Sequence, residues 1–365
     1  MGTVPSSGKR KAAPGSGIHG TAAGGLLANL PTTQQFPPAA PGDRGTWFGG
    51  FHLIQELTIG GFGEVWIALD TATNKEVVIK RLKPEQAEFK RAFYQFDIEI
   101  EIGQRVKHPN LVPVLQHGIV DGRRFFTMPR ITGPSLTRIL NKRAGEEWTL
   151  SILEILAALE MIGRALGFLH RAGVVHCDLK PDNILFSARN RPMLIDLGIA
   201  RTVNWAQSGY RALKAFREDD SILGTPEYMA PELFLGENEQ IGFGVDLYAM
   251  GVILYEVLAG VTPFKRDSQQ AGGDATKVLV ELMDRVQTAA PPEVLELNPT
   301  APPALAELAM QCLSKDPAGR PKSADDFAVA IGRVLRPVKT PTPKGKQGAL
   351  TRLTKLIRKS DKPKS

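Results

Sequence analysis

The chain has only two cysteines, Cys177 and Cys312, among its 365 residues, and this scarcity removes two explanations at once. They carry no paired spacing, so they neither frame a disulfide scaffold nor build a metal site by themselves. That usage fits a reducing cytoplasm. Long apolar runs are missing too: no stretch reaches the roughly 18 residues that a membrane span needs. Leu26-Leu27 is too short for the apolar region of a signal peptide. No internal repeat is visible. A soluble, cytoplasmic protein is the expectation.

Residues 1–46 have almost no aromatic side chains, are rich in Gly, Ala, Pro, Ser and Thr, and lack periodicity, which predicts a disordered N-terminal extension. At the other end, residues 337–365 read as a basic, mostly disordered tail. Residues 1–46 carry a net +3 and residues 336–365 a net +9, so the part between them is at −5 within a total of +7. The positive balance therefore belongs to the ends, and no specific nucleic acid is predicted as a partner.

With 42% hydrophobic residues over its whole length, the chain can bury a substantial interior, which is placed in the stretch 47–336. Its first part, about 47–128, holds short strand-like runs at Phe51–Leu57, Val65–Leu69, Glu76–Arg81, Val112–His117 and Arg123–Met128, broken by one helical stretch. From about 133 to 336 the pattern turns helical. Ser151-x-x-Glu154 is a capping box, and Ile152, Ile155, Leu156, Leu159, Ile162, Ala165, Leu166 and Leu169 recur at helical spacing. This predicts an α+β protein of two lobes, the smaller rich in strands and the larger mainly helical.

The chemistry is concentrated in His176-Cys177-Asp178-Leu179-Lys180-Pro181-Asp182-Asn183, followed by Asp196-Leu197-Gly198 and Ala230-Pro231-Glu232. In phosphoryl transfer, an aspartate can orient and deprotonate an acceptor hydroxyl, a lysine can neutralise the moving group, and Asn with Asp can hold magnesium. Each piece alone is weak, because a lone Asp-Leu-Gly is usually a turn. Their joint occurrence in this order decides the matter. Upstream, Thr58-Ile59-Gly60-Gly61-Phe62-Gly63-Glu64-Val65 reads as a glycine turn between strands, where backbone N–H groups can approach a polyphosphate, and Val77-Val78-Ile79-Lys80 as a strand ending in lysine.

Together these runs resemble the protein kinase superfamily in its eukaryotic-type serine/threonine branch, most like bacterial members. The resemblance implies a bilobal kinase fold over residues 47–336, with ATP and Mg2+ (Mn2+ as an alternative) as cofactors. It implies transfer of phosphate to Ser/Thr hydroxyls of protein substrates in signalling, with autophosphorylation within reach. Asp178 is then the catalytic base, Lys180 and Thr225 assist it, and Asn183 and Asp196 are the metal ligands. Ile59, Gly60, Gly61, Gly63, Val65, Val78, Lys80 and Leu185 are carried over as nucleotide contacts. Glu99 is the partner expected for Lys80, with Glu101 the competing choice. Met128 would be the gatekeeper, while the Pro129 carbonyl and the Ile131 N–H would meet adenine. Asp246 resembles the aspartate that anchors the catalytic-loop backbone, and Arg320 the arginine that pairs with Glu232.

Four departures stand against that pattern. Thr58 replaces the first glycine of the loop, and Val78 replaces an alanine whose small size leaves room for the adenine plane. Gly103, four residues after Glu99, replaces a bulky apolar residue and is expected to leave its helix loosely held, since a helix-interior glycine costs roughly 1 kcal/mol against alanine. Cys177 replaces the arginine that gathers a loop phosphate in the family, so ordering of the activation segment by phosphate loses its main partner. The alternative function is a pseudokinase scaffold that binds partners with little transfer, supported by Thr58, Val78 and Gly103. In the tail, Leu350, Leu353, Leu356 and Ile357 share a face beside Arg352, Lys355, Arg358 and Lys359, a short basic amphipathic helix suited to an anionic membrane or an acidic partner.

Overall fold

The computed structural model describes residues 34–35, 47–59, 63–83, 90–141, 150–197, 201–202, 226–235, 241–265 and 275–336. The first half is a seven-stranded sheet built from β1 (Gln34–Gln35), β2 (Trp47–Phe48), β3 (Phe51–Ile59), β4 (Gly63–Asp70), β5 (Lys75–Leu82), β6 (Gln116–Val120) and β7 (Arg123–Pro129). Their order across the sheet is β1-β6-β7-β5-β4-β3-β2. All neighbours are antiparallel except β1 and β6. One face buries Phe48, Phe51, Leu53, Val77, Ile79 and Phe125. Helix α1 (Lys90–Arg105) lies against the sheet through Phe96 and Ile100, which pack with Leu82 and Phe126.

The second half is helical. Its described helices are α2 (Leu136–Leu140), α3 (Ile152–Arg171), α4 (Pro231–Leu235), α5 (Gly244–Ala259), α6 (Ala275–Thr288), α7 (Val294–Leu297), α8 (Pro303–Cys312) and α9 (Ala324–Leu335). The capping box at the start of α3 is formed: Ser151 Oγ accepts from the Glu154 N–H, and the Glu154 carboxylate accepts from the Ser151 N–H at 2.7 Å. Helix α5 is apolar on nearly every side and runs through the core. It meets α8 closely because Gly251 has no side chain, and a Cβ there would lie 2.3 Å from Cys312 Cβ. Two hairpin-like pairs complete the frame: β9 (Ile184–Phe186) with β10 (Pro192–Leu194), and β8 (Val174–Val175) with β11 (Arg201–Thr202).

Two expectations need correcting. Gln34–Gln35, inside the segment expected to be disordered, pairs in parallel with Gly118–Ile119 and covers the open edge of β6. The run Val112–His117 does not form a strand from its start; β6 begins at Gln116. Pro113 lacks an N–H, and the donors around it go three different ways: Val112 to Leu194 O, Val114 to Gly103 O and Leu115 to Thr127 O. The space beside Gly103 in α1 is taken by Val114.

Candidate active site

The loop between β8 and β9 hangs from one buried side chain of α5. Asp246, 1% exposed, accepts the N–H of His176 and the N–H of Cys177, each at 2.9 Å, and lies 2.8 Å from His170 Nε2. Burial works against its charge, but these donors, led by His170, hold its carboxyl below the usual carboxylate range. His176 is itself fully buried. Its Nδ1 accepts the Asp178 N–H at 3.3 Å, which leaves Nε2–H to donate to the Ile195 carbonyl at 3.3 Å. One imidazole thus joins the Asp178 loop to the strand that leads into Asp196.

Asp178, Lys180 and Asn183 converge. Lys180 Nζ is 2.8 Å from Asp178 Oδ2, and Asn183 Nδ2 donates to the Asp178 carbonyl at 2.7 Å and to Asp178 Oδ2 at 3.2 Å. Asn183 gives its own carbonyl to the Ile195 N–H at 2.9 Å, which seats it beside Asp196. Its amide nitrogen is committed to Asp178, so the amide oxygen is the end that a cation would meet. A carboxylate and an amide oxygen suit magnesium, which is held by few protein oxygens and keeps water or phosphate for the rest.

On the sheet, cross-strand partners share a face. Val65 lies opposite Lys80, Val78 opposite both Ile67 and Met128, and Lys80 opposite Phe126, so Val65, Val78, Lys80 and Met128 stand on one side. Lys80 Nζ lies 2.8 Å from Glu99 Oε2 and 3.1 Å from Asp196 Oδ1. Burial disfavours its charge, but the carboxylates of Asp196 and Glu99 hold it above the ordinary lysine range. Burial pushes the Glu99 carboxyl up to about 7 against the pull of Lys80, and the nearby negative charge of Asp196 adds to the rise. Two carboxylates therefore compete for one ammonium. Glu101 is also buried, but its carboxylate meets Arg105 at 3.0 Å on the same helix.

Of the other residues proposed from sequence, Gly63 opens β4, and a Cβ there would lie 3.0 Å from the Arg81 carbonyl. Ile59 ends β3. Pro129 closes β7, Ile131 is half-buried on the way to α2, and Leu185 sits in β9 bridged to Ser135. Gly60, Gly61, Thr225, Gly198 and the tail residues 349–359 lie outside the described residues.

The structure adds groups that the sequence reading passed over. His170, at the end of α3, is the side-chain partner of Asp246 and stacks on Phe243. Tyr228 donates to Glu256 at 2.7 Å, linking the segment before α4 to α5. Both contacts join residues far apart in the chain, and neither His170 nor Glu256 belongs to a local motif. Arg320 binds Glu232 through two parallel bonds of 2.6 and 2.8 Å, with side chains 0% and 2% exposed.

The chain belongs to the protein kinase family: the family model described as "Protein kinase domain" matches residues 51–328. Among curated proteins it is similar to serine/threonine-protein kinase pkn3 of Myxococcus xanthus, 36% identical over 282 residues that cover 75% of this chain and 48% of that protein. It is also similar to PknD of Mycobacterium tuberculosis, 32% identical over 80% of this chain and 40% of the relative, and to PknA, 32% identical over 82% and 65%. The chain thus spans about half the length of the curated relatives it matches. Among solved structures, the kinase domain of M. tuberculosis PknI superposes with a TM-score of 0.57 at 24% identity, over 79% of this chain and 98% of that one. The shared architecture is the two-lobed α+β kinase fold. No helix among the described residues is long and apolar enough to cross a membrane.

Proposed function

We propose that this chain transfers the γ-phosphoryl group of ATP to Ser/Thr hydroxyls of proteins. The observation that carries the reading is that Lys80 reaches Glu99 and Asp196 together while Lys180 and Asn183 converge on Asp178. Asp178 accepts the proton of the acceptor hydroxyl as its oxygen bonds to the γ-phosphorus; the bond from that phosphorus to the β,γ-bridging oxygen breaks and ADP leaves. Lys180, beside Asp178, balances charge on the transferring group, and Lys80 orients the α- and β-phosphates. Asn183 and Asp196 would hold magnesium, which when bound supplies charge neutralisation across the β- and γ-phosphates. Val65, Val78 and Met128 wall the adenine site.

Cys177 makes this a kinase without arginine ahead of the catalytic aspartate. A phosphate on the segment after Asp196 therefore has no guanidinium at that position to grip it. The basic tail is read as a contact for an anionic membrane surface or an acidic partner.

The test is incorporation of labelled phosphate from ATP into a generic protein substrate, with and without magnesium, against Asp196→Ala. Magnesium-dependent incorporation lost in the variant supports the reading. Absence of incorporation by the wild-type chain, with nucleotide binding retained, would establish the scaffold reading instead.

A further inference from the structure

Helix α1 carries Glu99, and one turn further along the same face stands Gly103. The space beside it is taken: a Cβ on Gly103 would lie 2.5 Å from Val114 Cγ2 and 3.3 Å from the Val114 nitrogen. The Gly103 carbonyl, one of the acceptors left open at a helix C-terminus, takes the Val114 N–H at 3.1 Å. Val114 packs with Met128 against Leu82, Phe96, Ile100 and Phe126.

The residues on either side of Val114 are tied to the other parts of the site. The Val112 N–H donates to the Leu194 carbonyl at 3.0 Å, two residues before Asp196, and the Leu115 N–H donates to the Thr127 carbonyl at 2.8 Å, next to Met128. Segment 112–115 is therefore a junction between the helix of Glu99, the strand running into Asp196 and the strand running into Met128. Interiors packed to this density transmit a displacement instead of absorbing it.

We infer that Gly103 and Val114 are a matched pair that sets the position of Glu99 against Lys80, with Gly103 a positioning residue whose missing side chain admits Val114. A side chain at 103 moves α1 away from the junction, and because Glu99 lies one turn back on that face, its carboxylate leaves Lys80. A glycine that merely marks a helix approaching its end would show no such dependence on Val114. The inference rests on the kinase reading only for its activity measurement.

Four full-length proteins decide it: wild type, Gly103→Ala, Val114→Ala and the double variant. Each is read by kcat and KM for ATP, by urea midpoint, and by the rate at which acetic anhydride acylates Lys80, followed by peptide mass spectrometry. Gly103→Ala is expected to lower kcat about tenfold or more. Lys80 should then be acylated several-fold faster, because an amine released from its two hydrogen bonds to Glu99, at 3.0 and 2.8 Å, is freer to attack the reagent. In the double variant both readouts should return to within about twofold of Val114→Ala alone, the coupling expected of groups in contact. Wild-type kcat and acylation in Gly103→Ala would overturn the inference, as would a defect that Val114→Ala does not relieve. If Gly103→Ala does not fold, the double variant decides, with recovery supporting the pair and continued failure refuting it. Acylation needs no turnover, so a wild-type chain that transfers no phosphate sinks the functional reading while leaving this pair testable.

Discussion

Replacing Arg320 by alanine should cost the protein more than replacing its partner Glu232, and the structure says why. The guanidinium is fully buried and makes two parallel bonds to Glu232, but it also donates to the carbonyls of Ser314 at 2.9 Å, Gly244 at 2.9 Å and Lys315 at 3.3 Å, and lies over the Tyr248 ring. Glu232→Ala thus leaves a cation with three carbonyl partners. Arg320→Ala leaves a carboxylate, 2% exposed, that has lost both of its side-chain donors among the described residues. Breaking a buried pair by removing one partner costs about 3–5 kcal/mol, and Arg320→Ala belongs in that range, with Glu232→Ala below it. At a urea slope of about 2–3 kcal/mol/M, the Arg320→Ala midpoint falls by about 1–2.5 M. Urea unfolding followed by far-UV circular dichroism measures both variants. Equal shifts, or a larger one for Glu232→Ala, would refute the claim that the backbone carbonyls compensate the arginine.

Asp178→Asn should abolish phosphate transfer while nucleotide binding, measured by calorimetry, changes little; turnover like that of the wild type removes Asp178 as the base. Asp246→Asn replaces a carboxylate that accepts three donors with an amide whose NH2 must face one of them, so stability should drop by about 1.5–3 kcal/mol. Its kcat should fall further than destabilisation explains, and wild-type kcat in a folded Asp246→Asn protein counts against the anchoring role. The Glu99 carboxyl, raised from 4.5 to about 7 by burial, binds its proton more tightly in the folded chain than in the unfolded one. Its contribution to stability therefore falls as pH rises from about 4.5 to about 7 and levels off above that. The urea midpoint of Glu99→Gln relative to wild type should accordingly rise across that window, and a difference independent of pH argues against the shift.

The parts of this fold that sequence made legible are those written in consecutive residues. The α3 helix followed from one apolar stripe and a capping box, and β3, β4, β5 and β7 from short strand-like runs. The positions of Lys80, Asp178, Asn183 and Asp196 followed from motifs. What stayed hidden was long-range. Lys80 and Asp196 are 116 residues apart, and Arg320 and Glu232 88, so no local period links them, and only the resemblance suggested the second pair. His170 and Glu256 lay in helical patterns where charged or polar side chains are normally solvated. Gly103 was legible as an oddity, but its neighbour was not, because what fills the place of a missing side chain comes from elsewhere in the chain, here Val114. Val112–Leu115 has the apolar content of a strand, and only the destinations of its N–H groups reveal a junction.

Two residues of the site hold backbone conformations that side chains resist. Cys177 has φ of 65° and Asp196 φ of 62°, each in the left-handed region, where a non-glycine residue costs of order 1–3 kcal/mol unless its surroundings fix it. The surroundings do so by contacts already counted. The Cys177 N–H is taken by Asp246 Oδ1 and the preceding N–H by Oδ2, so the turn that aims Asp178 is imposed from α5, which is buried along nearly its whole length. Asp196 is met by Lys80 from the sheet, and its preceding residue is held at both ends, N–H to Asn183 and carbonyl to His176. The strain therefore sits one residue before Asp178 and at Asp196 itself, beside or on the two carboxylates of the site. It is offset by acceptors outside the two strained residues: the Asp246 carboxylate takes the N–H groups just before Asp178, and the Asn183 carbonyl takes the N–H just before Asp196, which is why both matter to the placing of those carboxylates.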